Sequence, residues 1–591
     1  MLTTGIDRRT LLSGAAAAAV LPILPAFAQP QDDPATRLRR LIEASDRARR
    51  ALDPLGTSRD GIAADGPAFV DPLGEDYGAR LRANAERDEA GLRTIDRNAL
   101  GRVDRIAFDV FRYRTAQTLD LHRSGLFAAQ QTAPLNPSFG FHVAFADHAA
   151  TAGAQLTSPA SQERFSAQLR GFATYLQSLE RRLRQGMADG YVQPKVTVGT
   201  IIAQVDVMLA LPVERSPLIA PASGVPEAQA AIWRRIVGDD IYPAYRRLRA
   251  FLAQTYLPAA TDDPGRWAMK DGAALYAADL ANHTTTAMSA EDIHAIGLTE
   301  VERIRADMER TRHDIGFAGD LAAFFDHIRT DPRFYYREPE ALIRHFTAIE
   351  QKIWQGMPRL FSRRPRAPFE VRGLPAVGGQ RGTGYYSAGP ADGSGPGILY
   401  FNMDMLGTRP IPTLETLTLH EGIPGHHYQI SLVQEDASLP PILRFGRSTA
   451  FSEGWGLYSE SLGRELGLFA DPYQWFGHLD MEMLRAVRLV VDTGLHALRW
   501  DRQRAIDYML ANASMAARDV AVEIDRYIAI PGQACAYKIG ELKLQALRRA
   551  ASARLGDRFD IRAFHDQVLE TGAMPLAVLE AKITDWLRAT A

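Results

Sequence analysis

The stretch Thr418-Leu419-His420-Glu421-Gly422-Ile423-Pro424-Gly425-His426-His427-Tyr428-Gln429 places three histidines and a glutamate within eight residues, in a chain of 591 residues with only 14 histidines. In a zinc-binding His-Glu-x-x-His helix the two imidazoles are four residues apart, about 40° around and 6 Å along the axis. Both then reach one ion while the glutamate faces its bound water. Here the fourth position after His420 is Pro424. In an unbroken helix His426 falls on another face, and His427 shares the face of His420 but lies about 10 Å further along. Pro424 cannot donate to the carbonyl of His420 and Gly425 tolerates positive φ, so a bulge there is expected to bring His426 or His427 back beside His420. Taken alone, the motif reads better as a helix that ends at Gly422 with two surface histidines beyond it.

Residues further along favour the metal reading. Phe451-Ser452-Glu453-Gly454-Trp455-Gly456-Leu457-Tyr458-Ser459-Glu460 belongs to a second helix, with Glu453 27 positions after His426 and 26 after His427. A glutamate from a following helix completes a His-His-Glu set with an open position for water. Glu460, two turns on, is placed to hold a ligating histidine. A third helix spaces Arg488, Asp492 and His496 four and four, so that they share one face. That stripe reads as an ion-pair row or, beside a metal, as an oxyanion-stabilising His496 oriented by Asp492. The segment Pro531-Gly532-Gln533-Ala534-Cys535-Ala536-Tyr537-Lys538 is a turn leading into a fourth helix. Tyr537 there either donates to a developing oxyanion or packs in a core with its hydroxyl satisfied. Cys535, with no neighbouring histidine, reads as a small buried residue.

Outward from these motifs the pattern is mainly α. Apolar residues recur at three and four over Thr36 to Ala51, Ser161 to Met187, Ala228 to Tyr256 and Ala290 to Thr311, the last opening on a capping-box-like Ser289-Ala290-Glu291-Asp292. Between about Arg363 and Asn402, glycines and prolines punctuate Gly384-Tyr385-Tyr386-Ser387 and Ile398-Leu399-Tyr400-Phe401-Asn402. These runs predict a small antiparallel β-sheet before the metal-motif helix, with an edge to which an extended substrate could add. Helices return over Thr413 to Gly422, Thr449 to Leu466, Pro472 to Leu498, Ala513 to Tyr527 and Gly540 to Leu555. No linker separates independent bodies. Residues 29–591 read as one domain, in which 29–362 form a helical scaffold and cleft wall and 363–591 carry the sheet and the metal-site helices.

Composition narrows the function. With 68 Lys and Arg against 70 Asp and Glu, a net charge of -2 and no basic block, nucleic acid is not expected as a partner. The single cysteine rules out an intramolecular disulfide and a Cys-rich zinc site, so any metal must be held by His and carboxylate. At the N-terminus, Arg8-Arg9, an Ala-rich apolar run to about Leu24 and Ala26-Phe27-Ala28 read as an export signal over residues 1–28. The paired arginines resemble a twin-arginine signal, the route for proteins exported already folded. A periplasmic or secreted protein follows, without stable membrane insertion after cleavage.

Together, His420-Glu421-Gly-Ile-Pro-Gly-His426-His427, Glu453-Gly454-Trp455 with Tyr458 and Glu460, Arg488-Leu-Val-Val-Asp492-Thr-Gly-Leu-His496 and Pro531-Gly-Gln-x-x-x-Tyr537-Lys538-x-Gly540 resemble the bacterial family called domain of unknown function 885. That family is similar to the gluzincin metallopeptidases, which are helical and enclose a deep cleft. The resemblance implies a zinc-dependent hydrolase, in particular a metallopeptidase acting on short peptides. It makes His420 a ligand of one Zn²⁺, Glu421 the general base and Glu453 the third ligand. The second ligand stays open: a Gly-His ending favours His426, and the spacing to Glu453 favours His427. Tyr537 and His496 are the expected oxyanion stabilisers. Two alternatives stand beside this: a zinc hydrolase of non-peptide amides or esters, and a metal-free periplasmic binding or scaffold protein.

Overall fold

The computed structural model describes residues 33–59, 66–152, 156–374 and 384–590. The signal-like N-terminus, Pro375 and the glycines of 375–383 lie outside them. The described chain is mainly α with one small sheet. Helix α1 (Ala290–Ile315) backs the candidate site, and α2 (His426–Gln434), α3 (Thr449–Ser461), α4 (Pro472–His496), α5 (Ala517–Ala529) and α6 (Ala536–Leu555) line it. Helix α1 opens on a full capping box, in which Ser289 and Asp292 satisfy each other's backbone N–H.

The long apolar pattern over Ala228 to Tyr256 is one helix widened twice, at Val237–Ile241 and Leu252–Tyr256. Each widened turn lies just ahead of a proline, Pro243 or Pro258. Proline has no N–H for the carbonyl one turn back, so the ladder loosens there.

Two stretches distant in sequence share one core. Leu38, Ile106 and Phe111 pack in the same apolar cluster as Phe346, Leu419, Trp455 and Leu544. The helices that carry Leu38, Ile106 and Phe111 thus share a core with those that carry Leu419 and Trp455, while other residues between Leu55 and Ala260 pack in a core of their own. Helices α3 and α6 meet at their backbones: a Cβ on Gly540 would lie 1.9 Å from the Ala450 carbonyl oxygen, and one on Gly454 2.4 Å from the carbonyl carbon of Gly540. Only glycine permits that approach, and it brings the Glu453 helix against the Tyr537 helix. Helix α4 packs along α1 on its other side.

The sheet is mixed, which corrects the antiparallel expectation. Strands β1 (Phe369–Gly373), β2 (Gly384–Ser387) and β3 (Gly397–Phe401) lie in the order β1-β3-β2. The β2 to β3 turn is a hairpin and pairs antiparallel, whereas β1 takes the far side of β3 and pairs parallel. Among the described residues β2 is an edge, and Tyr385 and Tyr386 line the central cavity from it. No helix among the described residues is long and apolar enough to cross a membrane.

Candidate metal centre

The polypeptide breaks where Pro424 demands it. A widened turn over Thr418–Gly422 carries His420 and Glu421, Ile423 is extended (φ -123°, ψ 126°), and α2 begins at His426 with Gly425 at its N-cap. The expected bulge is therefore a helix break, with residues 423–425 joining two helical segments. Gly425 does not use positive φ, since its φ is -71°. It is needed for space, because a Cβ there would lie 1.9 Å from the His420 carbonyl oxygen. The indole of Trp455 fixes the break by donating to the Pro424 carbonyl at 2.7 Å.

The break turns His426 back onto His420. Nε2 of His420 and Nε2 of His426 lie 3.5 and 3.4 Å from the same Glu453 oxygen. One ligand atom from each of the three residues falls within 4.8 Å of the others. Separations near 3.4 Å are those between ligands of a tetrahedral ion with bonds of about 2.1 Å. Two imidazole nitrogens and a carboxylate oxygen are the donor set that suits zinc. Burial disfavours charge on His420, but hydrogen bonds to Glu453 and Glu460 outweigh it and push its pKa up to about 9. Burial would raise Glu453, yet its bonds to the two histidines hold it well below the usual carboxylate range. The cluster thus calls for positive charge at its centre.

The surroundings hold His420 in place. His420 Nδ1 shares a 2.7 Å hydrogen bond with Glu460, which also accepts from Arg485 at 3.3 Å. Gly456 leaves room for the ring: a Cβ there would lie 2.6 Å from His420 Cε1. Glu421 lines the cavity beside these groups, and its Oε2 is buried without a hydrogen-bond partner among the described residues. Tyr537 stacks near the His420 ring, with centroids 6.4 Å apart, and the Arg488 guanidinium lies 4.5 Å from the centre of the Tyr537 ring.

Two expected site residues are elsewhere. His427 turns away into the core, with Nε2 3.1 Å from the Ala367 carbonyl and Nδ1 3.1 Å from the Tyr386 hydroxyl. Adjacent positions on a helix point about 100° apart, so only one of the His-His pair can face Glu453. His427 instead ties α2 to the sheet. His496 is also remote: Nδ1 accepts from the Arg266 N–H at 3.1 Å and Nε2 donates to the Tyr527 carbonyl at 3.0 Å. With both nitrogens used and the ring buried, it is a structural histidine whose burial pushes its pKa down to about 3. Asp492 does not orient it, but accepts from the Tyr276 hydroxyl and the Gly532 N–H. Cys535 is fully buried, and burial followed by the nearby Asp492 holds its thiol well above the ordinary value.

Sequence reasoning missed Arg485 and Gly456. Arg485 is one arginine in a largely apolar helix, with nothing in its spacing to mark its bond to Glu460. Gly456 in Gly-Trp-Gly looks like a poor helix former until His420 is seen above it.

The cluster opens into a cavity of about 2760 Å³, lined among others by Glu421, His426, Glu453, Tyr386 and Tyr537. That exceeds the roughly 300–1,000 Å³ of an ordinary small-molecule pocket.

No curated protein matches this chain. Among solved structures it is similar to a candidate lipoprotein from Colwellia psychrerythraea, with 27% identity and a TM-score of 0.85 over 94% of this chain and 100% of that one. It is also similar in fold to a candidate lipoprotein of unknown function from Shewanella oneidensis, with 16% identity and a TM-score of 0.72 over 93% of this chain and 99% of that one. The family model described as bacterial protein of unknown function (DUF885) matches residues 55–583, and the chain belongs to that family.

Proposed function

We propose that this protein is an exported, zinc-dependent hydrolase of peptide bonds, related in mechanism to the gluzincin metallopeptidases. The observation that carries the reading is the convergence of His420, His426 and Glu453 on one point, beside a glutamate with an unpartnered buried oxygen. His420, His426 and Glu453 would hold the ion, which supplies a Lewis acid that acidifies water and polarises a carbonyl. Glu421 takes the proton of the attacking water and passes it to the departing amine. Tyr537 donates its hydroxyl to the carbonyl oxygen as negative charge develops. Glu460 fixes the His420 ring so that Nε2 faces inward. The β2 edge gives an extended substrate backbone partners along one wall.

The cavity size supports substrates of several residues. Export is supported by the Arg8-Arg9 signal pattern and by the lipoprotein description of the structural relatives. The test is a peptide-library digest by zinc-loaded wild type and Glu421→Gln. Cleavage by wild type alone is expected, and equal cleavage by both would overturn the role of Glu421. Intact zinc binding with no peptide cleavage would overturn the peptide assignment.

A further inference from the structure

A second polar feature lies one turn from Glu453. Helix α3 begins at Thr449, and its N-cap Ser448 makes no capping hydrogen bond to its own helix. The first N–H groups of a helix have no partner within it, so this end presents uncapped donors and a partial positive charge. Ser448 lines the cavity, is only 9% exposed, and its Oγ is buried without a hydrogen-bond partner among the described residues.

A cation stands at the same end. Arg114 reaches from the helix Arg102–Arg123 and donates to the Arg447 carbonyl at 3.2 Å, in the residue just before Ser448. Among the described residues no carboxylate pairs with it; its charged neighbour is Arg49. Arg114 and Arg447 both line the cavity. A partly buried guanidinium without an acid beside it, next to an uncapped helix end, lacks an anion.

We propose that Ser448, Arg114 and the first turn of α3 form a subsite for a substrate carboxylate. This rests on the hydrolase reading above and deepens it. Thr449 precedes Glu453 by one turn, about 6 Å along the axis. That spans one or two extended residues at roughly 3.3–3.6 Å each, so the carboxylate belongs close to the cleaved bond. It comes from the peptide's C-terminus or from an acidic side chain near it.

The test is binding, so that it does not depend on turnover. Full-length, zinc-loaded Glu421→Gln is titrated calorimetrically with three probes: tetra-alanine with a free C-terminus, the same peptide amidated, and the amidated peptide with glutamate last. The free acid should bind about tenfold or more tighter than the alanine amide. Arg114→Gln in the same background should erase that difference. If this variant does not fold, Arg114→Lys should keep part of it. Tight binding of the glutamate amide alone assigns the subsite to a side chain and upholds it. Equal binding of all three, no binding of any, or an acid preference that survives Arg114→Gln would overturn the proposal. A preference for the acid in a protein whose wild type cleaves nothing would overturn the hydrolase reading and leave the subsite standing.

Discussion

Glu460 accepts from His420 Nδ1 at 2.7 Å in a fully buried pair, and this contact determines which nitrogen of His420 faces Glu453. Burial would raise Glu460, but Arg485 and then His420 hold it below its ordinary value. The carboxylate stays ionised and fixes the tautomer that leaves Nε2 facing Glu453.

Replacing that carboxylate by its neutral isostere should weaken the ion's hold while the three ligands remain. For Glu460→Gln we expect a loss of about 10- to 100-fold in zinc affinity, read by competition with a chromophoric chelator. Unchanged affinity would show that the ring is oriented by packing alone.

Gly456 is required by the His420 ring. In Gly456→Ala the new methyl meets Cε1 at 2.6 Å, and the 2.7 Å bond to Glu460 holds the ring against retreat. The expected cost is about 1–3 kcal/mol in denaturant unfolding, together with weakened zinc binding. A variant as stable as wild type, with full zinc affinity, would contradict the tight fit.

His565 provides a test of stability against pH. Burial, partly offset by its bond to the Leu360 carbonyl, lowers its pKa to about 3, and its Nε2 is 2.8 Å from the Tyr458 hydroxyl. The unfolded imidazole takes a proton below about 6.5 and the folded one does not until about 3. The unfolded state therefore binds more protons in that window. The stabilisation is complete above pH 6.5 and is lost as pH falls toward 3. In His565→Gln the slope of unfolding free energy over pH 4–6 should fall by about 1.4 kcal/mol per pH unit. An unchanged slope would show that His565 titrates normally in the fold.

Tyr537 should act on turnover more than on binding. Tyr537→Phe keeps the ring beside His420 and removes only the hydroxyl. Under the proposed mechanism kcat should drop about 10²-fold or more with little change in KM. A change confined to KM would assign Tyr537 to substrate binding.

The helices were legible because their apolar spacing and caps are local, as at Ser289. His420, Glu421 and Glu453 were legible because their residue types sit at informative spacings. The choice between His426 and His427 was not, since it depends on how the chain turns at Pro424 and on Trp455 reaching back from a later helix. His496 misled for a related reason. Its four-residue spacing from Asp492 is real, but α4 is buried on all sides there, so each polar side chain takes a different partner. The parallel pairing of β1 with β3 was hidden because strand order is set by long-range packing, and the short runs themselves say nothing of it.

We propose that His420, His426 and Glu453 hold one catalytic zinc ion. Anomalous diffraction at the zinc edge, from crystals of protein produced with ample zinc, tests it most directly. One peak is expected about 2.0–2.2 Å from Nε2 of His420, Nε2 of His426 and a Glu453 oxygen, with His427 still bonded to Ala367 and Tyr386. No peak at the cluster, or a peak ligated by His427 in place of His426, would contradict the account.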